Sequence, residues 1–416
     1  MTARRPRHLL RRPLVAFLVF LIAVPAMLWF IAREALGHPP EGVRLERVKD
    51  SPQWRDGQFR NVLERVDGSM LTATREFFFG GSAYRRPDAP ISTAPRSNAD
   101  YLEAPASGLR VTWLGHSTLL LEIDGKRVLI DPVWGDRASF FTFAGPKRFY
   151  APPLPLAELP AVDVVLISHD HYDHLDIETI KELSRRGARF AVPLGVGSHL
   201  VSWGVPEAKI TEHDWWDSTV VEGLTLTAVP ARHFSGRGLL DQGKTLWSGW
   251  TIVTPQHRVY YSGDTAMQDA FAEIGERLGP FDLTMIEVGA YDALWADVHL
   301  GPEQAVRAHR LVKGEVMLPV HWGLFDLALH GWTEPIERVL VAAQEEGVRV
   351  AAPRPGDRVE PAILGVVDRW WPTIPWKTAA EAPIQSTGSA HLMRPLTREA
   401  RDSTTRSMPL VPAPSR

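Results

Sequence analysis

Segment 168–174 of this 416-residue chain reads Ser-His-Asp-His-Tyr-Asp-His, placing His169, His171 and His174 beside Asp170 and Asp173. It follows directly on the apolar run 162–167. So many polar and ionisable groups leaving a buried strand are costly unless something pairs them. A metal centre would, because imidazole and carboxylate are both good ligands for zinc and other divalent cations. In extended chain, alternate residues such as His169 and His171 point the same way. Asp173 and His174 begin a turn and can aim elsewhere, so the spacing can serve two adjacent metal positions.

Three later places repeat the arrangement of an apolar run giving way to a potential ligand. They are His233 in 231–235, Asp264 in 260–265 before a Gly turn is complete, and His321 in 317–323. One histidine at a strand end is more often an ordinary hydrogen-bonded residue. Four such endings in order are hard to explain that way. Asp131, at the end of an apolar run and before Pro132, reads either as a partner for a ligand histidine or as a turn-initiating aspartate. His299, ahead of a Gly-Pro helix start, reads either as a proton donor to a leaving group or as a loop histidine. His116 reads equally as functional or as a satisfied core residue. Loop 134–150 carries Arg137, Lys147 and Arg148 among Phe140, Phe141 and Phe143, a candidate substrate-binding surface. Trp247 and Trp250 read as core.

The elements that must position these residues follow from hydrophobic pattern. Runs 109–114, 118–123 and 127–131 read as successive strands, the last two joined by an Asp124-Gly125 hairpin turn. A buried strand at 162–167, a helix at 177–186 and strands at 189–193, 219–229, 247–254 and 257–262 come next. The remainder alternates: helix 267–277, strand 282–287, helix 302–312, strand 315–320, helix 334–346. Antiparallel hairpins followed by αβ units suit two stacked sheets with helices outside, and sites on loops along one edge.

Composition narrows the class further. A formal net charge of -3 argues against a nucleic-acid partner, and the absence of cysteine excludes disulfides, Cys-based zinc fingers, iron–sulfur ligation and thiol nucleophiles. Residues 13–32 form an uncharged apolar run long enough, at about 1.5 Å per residue, for the roughly 30 Å core of a bilayer. Arg4, Arg5, Arg7, Arg11 and Arg12 precede it, so residues 1–12 are expected in the cytoplasm and the bulk of the chain on the exoplasmic side, periplasmic in a bacterium. A cleaved signal peptide is the competing reading. The run exceeds a usual signal core and no small-x-small site follows, which favours a single-pass transmembrane anchor. Residues 33–108, rich in Pro, Gly, Arg and Ser, are expected as an extended lead-in, 109–378 as the main folded domain and 379–416 as a disordered tail.

With its motif His169-x-His171-x-Asp173-His174 and the later His233, Asp264 and His321, the chain resembles the metallo-β-lactamase superfamily over roughly residues 109–360. The resemblance implies an αββα sandwich, of α/β (α+β) class, and two zinc ions, other divalent metals being alternatives. It implies that His169, His171 and His233 hold one ion, that Asp173, His174 and His321 hold the other, and that Asp264 bridges them. Gly115-His116-Ser117, 129–132, 299–305 and Val320-His321-Trp322-Gly323 are similar to the N-acylphosphatidylethanolamine-hydrolysing phospholipase D branch, in which Asp131 and His299 match positions implicated in catalysis. Asp173 is counted with them as a catalytic candidate. The implied reaction is phospholipid phosphodiester hydrolysis by a metal-bridging hydroxide, yielding N-acylethanolamine and phosphatidic acid. A lactonase or small-ester hydrolase, or a non-catalytic membrane scaffold, are the alternatives. Expected partners are a phospholipid substrate and the membrane, with a homodimer compatible.

Overall fold

A computed structural model of the chain describes residues 8–394 except 67 and 239, with side chains from residue 20 onward. The lead-in contains helix α1 (His8–Leu36), helix α2 (Gly42–Asp50), a short hairpin of β1 (Trp54–Arg55) and β2 (Gln58–Phe59), and helix α3 (Met70–Phe79). Strands β3 (Leu109–Gly115), β4 (Thr118–Ile123), β5 (Lys126–Ile130) and β6 (Val164–Leu166) follow. Then come helix α4 (Ile177–Arg185), β7 (Arg189–Pro193), helix α5 (Val196–Ser202) and β8 (Ile210–His213). The second half runs β9 (Ser218–Val221), β10 (Leu224–Val229), β11 (Gly249–Val253), β12 (Arg258–Tyr261), α6 (Ala270–Arg277) and β13 (Phe281–Glu287). It ends with α7 (Pro302–Leu311), β14 (Gly314–Val320), α8 (Glu334–Glu346), β15 (Arg349–Val350) and β16 (Arg358–Val359).

Two seven-stranded sheets result, in the orders β16-β3-β4-β5-β6-β7-β8 and β15-β14-β13-β12-β11-β10-β9. Each begins antiparallel and becomes parallel, at β5–β6 in one and β12–β13 in the other. Side-chain alternation explains the layering. Leu119, Leu121, Val128, Ile130, Val164 and Leu166 enter the core shared with the opposite sheet. Their neighbours Leu120, Leu129, Val165 and Ile167 instead pack with Ile180 and Leu183 of α4 and Val196 and Leu200 of α5. Strands apolar on both faces belong between two layers. The second sheet is covered by α6, α7 and α8 through Phe271, Ile274, Ala305, Val306, Ile336 and Val339. The order of layers is α, β, β, α.

Several expectations need correction. The strand expected at 219–229 is a hairpin, split where Glu222 and Gly223 both take positive φ (52° and 86°). The lead-in is not simply extended, since it forms α2, β1, β2 and α3 and packs Val48 and Phe59 into a cluster with Leu194, Trp215, Leu246 and Trp247. Residues 379–394, expected without packing, lie against the domain: Thr387 N donates to Asp297 (2.7 Å), Ser386 Oγ to Ala296 O (2.7 Å), and Leu392 is buried. The rest of that tail lies outside the described residues. The apolar run 13–32 is helical within α1, but its side chains before residue 20 also lie outside the description. Among the described residues no helix is long and apolar enough to cross a membrane, so they do not support the expected transmembrane helix.

Candidate metal centre

The loops leaving β6, β10, β12 and β14 meet at one edge of the sandwich and bring the histidines together. His171 Nδ1 stands 2.9 Å from His169 Nε2 and 3.3 Å from His233 Nε2. Asp173 Oδ2 stands 3.4 Å from both His174 Nε2 and His321 Nε2. Between the two groups lies Asp264, whose Oδ2 is 3.0 Å from His321 Nε2, 3.2 Å from His174 Nε2 and 3.8 Å from both His169 Nε2 and His233 Nε2. Each trio, and the set His169, His174 and Asp264, can place its ligand atoms within 4.8 Å of one another.

The donor atoms need a cation. His174 Nε2, His321 Nε2 and Asp264 Oδ1 are buried with no hydrogen-bond partner, a cost that a bound cation would remove. Burial pushes His169 and His233 well below the ordinary histidine pKa, keeping their lone pairs available. For His174 and His321 burial acts the same way but is outweighed by Asp264 and Asp173, which carry His174 well up and His321 to about 10. Each carboxylate is held low in turn against burial, chiefly by His174. The donor set therefore suits divalent metal.

The ligands are oriented from behind. Asp131 is fully buried; its Oδ2 accepts from His174 Nδ1 (2.7 Å), Ser168 Oγ (2.5 Å) and Tyr261 OH (2.5 Å), and its Oδ1 from Ser168 N (2.7 Å). Ser168 Oγ lies 2.9 Å from His169 Nδ1, and Val298 O 2.9 Å from His233 Nδ1. Such contacts fix the tautomer that leaves Nε2 to the metal. Three residues of this edge, His116, Asp131 and His321, take positive φ (52°, 40° and 65°), a strained backbone that the packing must hold. His299 lies between His233 and His321, its Nδ1 2.7 Å from Glu287 Oε2.

Other residues were not legible in sequence. Glu287 is buried, and its second oxygen accepts from Thr265 N (2.6 Å) and Leu300 N (3.1 Å), so one carboxylate ties two loops to the end of β13. It reads in sequence as the last residue of a strand. His116, which the sequence leaves open between a functional and a core residue, joins the second trio, its Nε2 2.9 Å from Asp173 Oδ2, with burial and His321 pushing it down to about 3. Asn61 of the lead-in grips the backbone of His233 in both directions: its Nδ2 donates to His233 O (2.8 Å) and its Oδ1 accepts from His233 N (3.1 Å). Buried Arg237 donates to Asp170 O (2.6 Å) and Leu175 O (3.0 Å) on the motif loop, and to Ala35 O (2.8 Å) at the end of α1. Trp203 Nε1 caps Glu34 O of the same turn (2.7 Å).

The cations expected at the substrate fare differently. Arg148 is buried and donates to Val133 O (3.1 Å). Its burial follows from Phe149 and Tyr150, which pack inward beside it with Leu324 and Phe325. Arg137 donates to Gly145 O of its own loop (2.6 Å), and Lys147 is exposed. Trp247 and Trp250 are core residues as expected.

Comparison with known proteins agrees with this geometry. Residues 126–322 match the model of the Beta-lactamase superfamily domain. An uncharacterized protein of Mycobacterium tuberculosis is 49% identical over 348 residues, covering 81% of this chain and 91% of that one. The N-acyl-phosphatidylethanolamine-hydrolyzing phospholipase D 1 of Caenorhabditis elegans is 40% identical over 255 residues, 58% of this chain and 72% of that one. Among solved structures, a metallo hydrolase of the archaeon Ignicoccus hospitalis is 23% identical, with a TM-score of 0.46 over 60% of this chain and 97% of that chain.

Proposed function

Since this chain belongs to the metallo-β-lactamase superfamily, and is a metal-dependent hydrolase with phospholipase D relatives, we propose that it is a zinc phosphodiesterase acting on N-acylphosphatidylethanolamine-like phospholipids. The observation that carries the reading is Asp264, set between two complete ligand groups. His169, His171 and His233 would hold one zinc ion, Asp173, His174 and His321 a second, with Asp264 shared. Bound there, the metals would supply Lewis acidity and lower the pKa of an attacking water.

The protein's own side chains do the rest. Asp131 holds His174 and Ser168 in place, so the ligand edge is preorganised. Glu287 fixes His299 through Nδ1, which leaves Nε2 to hydrogen-bond a phosphoryl oxygen or return a proton to the leaving alkoxide. Asp173, the least buried ligand carboxylate, orients His116 and the second group together. Lipid access through α1 is supported by its exposed Phe20, Leu21, Ile22, Trp29 and Phe30. These would tether the chain to a membrane.

The test is mass spectrometry of a membrane lipid extract incubated with zinc-loaded protein, beside Asp264→Ala. Loss of N-acylated phosphatidylethanolamine with matching N-acylethanolamine and phosphatidate is expected from wild type alone. An unchanged extract from metal-loaded wild type would refute it, and lactones and small esters would then be the substrates to try.

A further inference from the structure

Immediately before the ligand His233 stands Arg232, and immediately before Val298, whose carbonyl lies 2.9 Å from His233 Nδ1, stands Asp297. Arg232 Nη2 and Asp297 Oδ2 pair at 3.0 Å, and the two residues are 1% and 2% exposed, so the pair is taken wholly out of water. The loops bearing His233 and His299 are therefore joined twice in succession, by this ion pair and then by the ligand histidine itself. His299 follows at once, its ring 5.1 Å from that of His233.

Both partners reach further. Arg232 Nη2 donates to Glu64 O (2.8 Å) in the lead-in, and Nη1 to Thr387 O (3.1 Å) and Met267 O (3.3 Å). Asp297 Oδ2 accepts from Val66 N (2.9 Å), and its Oδ1 from Thr387 N (2.7 Å). Thr387 is thus held by both ends of its backbone, the N–H by the carboxylate and the C=O by the guanidinium. The backbone of Arg232 is also hooked to the loop that carries Asp264, its N donating to Thr265 Oγ1 (2.9 Å) and its O accepting from Ala266 N (2.8 Å). A planar guanidinium can serve several acceptors in fixed directions at once, which a lysine cannot. A buried ion pair gains little stability over packed hydrocarbon, so its value lies elsewhere.

We propose that Arg232 and Asp297 are positioning residues for His233 and His299, and that the backbone of Thr387 completes them. The C-terminal segment is then a working part of the first metal position. This rests on the two-ion reading of the centre and on no particular substrate.

Competition between full-length protein and a chromophoric chelator tests it, with His171→Ala assigning the zinc step that belongs to the first position. The second position is the internal control for folding. Arg232→Met should weaken the first position about tenfold or more and leave the second within roughly threefold. That variant also strands a buried carboxylate, so Arg232→Met with Asp297→Leu removes the stray charge. The double variant should melt above Arg232→Met, because hydrocarbon in place of a buried pair is tolerated, yet keep the first position about tenfold weak. Thr387→Pro keeps both charges and removes only the N–H that Asp297 accepts, and should weaken the first position alone. Recovery of first-position affinity in the double variant, or equal loss at both positions, marks a merely structural pair and overturns the proposal. Wild-type affinity in Thr387→Pro overturns the part given to the C-terminal segment. A wild-type protein that takes up fewer than two zinc ions refutes the centre itself, and the proposal with it.

Discussion

Asparagine at position 131 isolates what the buried carboxylate does. Asn tolerates the left-handed backbone that Asp131 adopts at φ 40°, so the substitution changes hydrogen bonding and charge but not the turn. One oxygen of Asp131 collects three donors, from His174, Ser168 and Tyr261, and the other takes Ser168 N. An amide cannot satisfy all four. If its oxygen keeps Ser168 N, its NH2 faces the other three, and the two hydroxyls can rotate to accept. His174 can accept only by moving its proton to Nε2, the atom meant for metal. The expected loss of metal affinity is about 10–100-fold, or roughly 1.4–2.7 kcal/mol. Removing a charge from this buried network should cost about 3–5 kcal/mol of stability, a fall of roughly 6–20 °C in melting temperature at about 2–4 °C per kcal/mol. Competition with a chromophoric chelator reads the first quantity and thermal melting the second. A variant that keeps wild-type zinc affinity within threefold and melts within about 2 °C would show that Asp131 is only a turn residue.

Two more outcomes follow from the same edge. Asn61→Ala leaves His233 N–H and C=O without partners, so it should cost about 1–3 kcal/mol and weaken the first metal position by roughly tenfold, measured as a split zinc titration with the second position unchanged. In the metal-free protein, His321 is raised to about 10 despite burial because Asp264 and Asp173 hold its proton. A raised folded pKa contributes stability that is complete below the ordinary histidine range and lost as pH climbs toward about 10. The chelated protein should therefore melt at lower temperature at pH 9.5 than at pH 6, and the zinc-loaded protein should show a smaller difference; no difference in the chelated form would remove His321 from the account.

The ligand set could be read from the chain because it is local in sequence. Four of its members lie within six residues, and the others each close an apolar run, so periodicity marks them. Glu287 and Asn61 carry no such mark. The first looks like any strand terminus. The second meets His233 across 172 residues, and nothing in a Pro-, Gly- and Arg-rich stretch announces a partner that distant. Helix α5 escaped notice because it is a single short helix begun by Gly195 in left-handed conformation, too brief for a helical period to emerge. The burial of Arg148 was hidden for the opposite reason: an arginine among aromatics looks exposed until its neighbours are seen to face inward.

Arg237 and Trp203 cap Ala35 and Glu34 while Arg237 also carries the motif loop. The boundary of the folded hydrolase thus does not fall where the apolar run stops. The final turn of α1 belongs to the catalytic body, as a keystone belongs to the arch it closes. A chain cut just after that turn would strip the guanidinium of one acceptor and loosen the loop bearing His169 and His171. A cut that keeps Glu34 and Ala35 would leave the support of that loop intact.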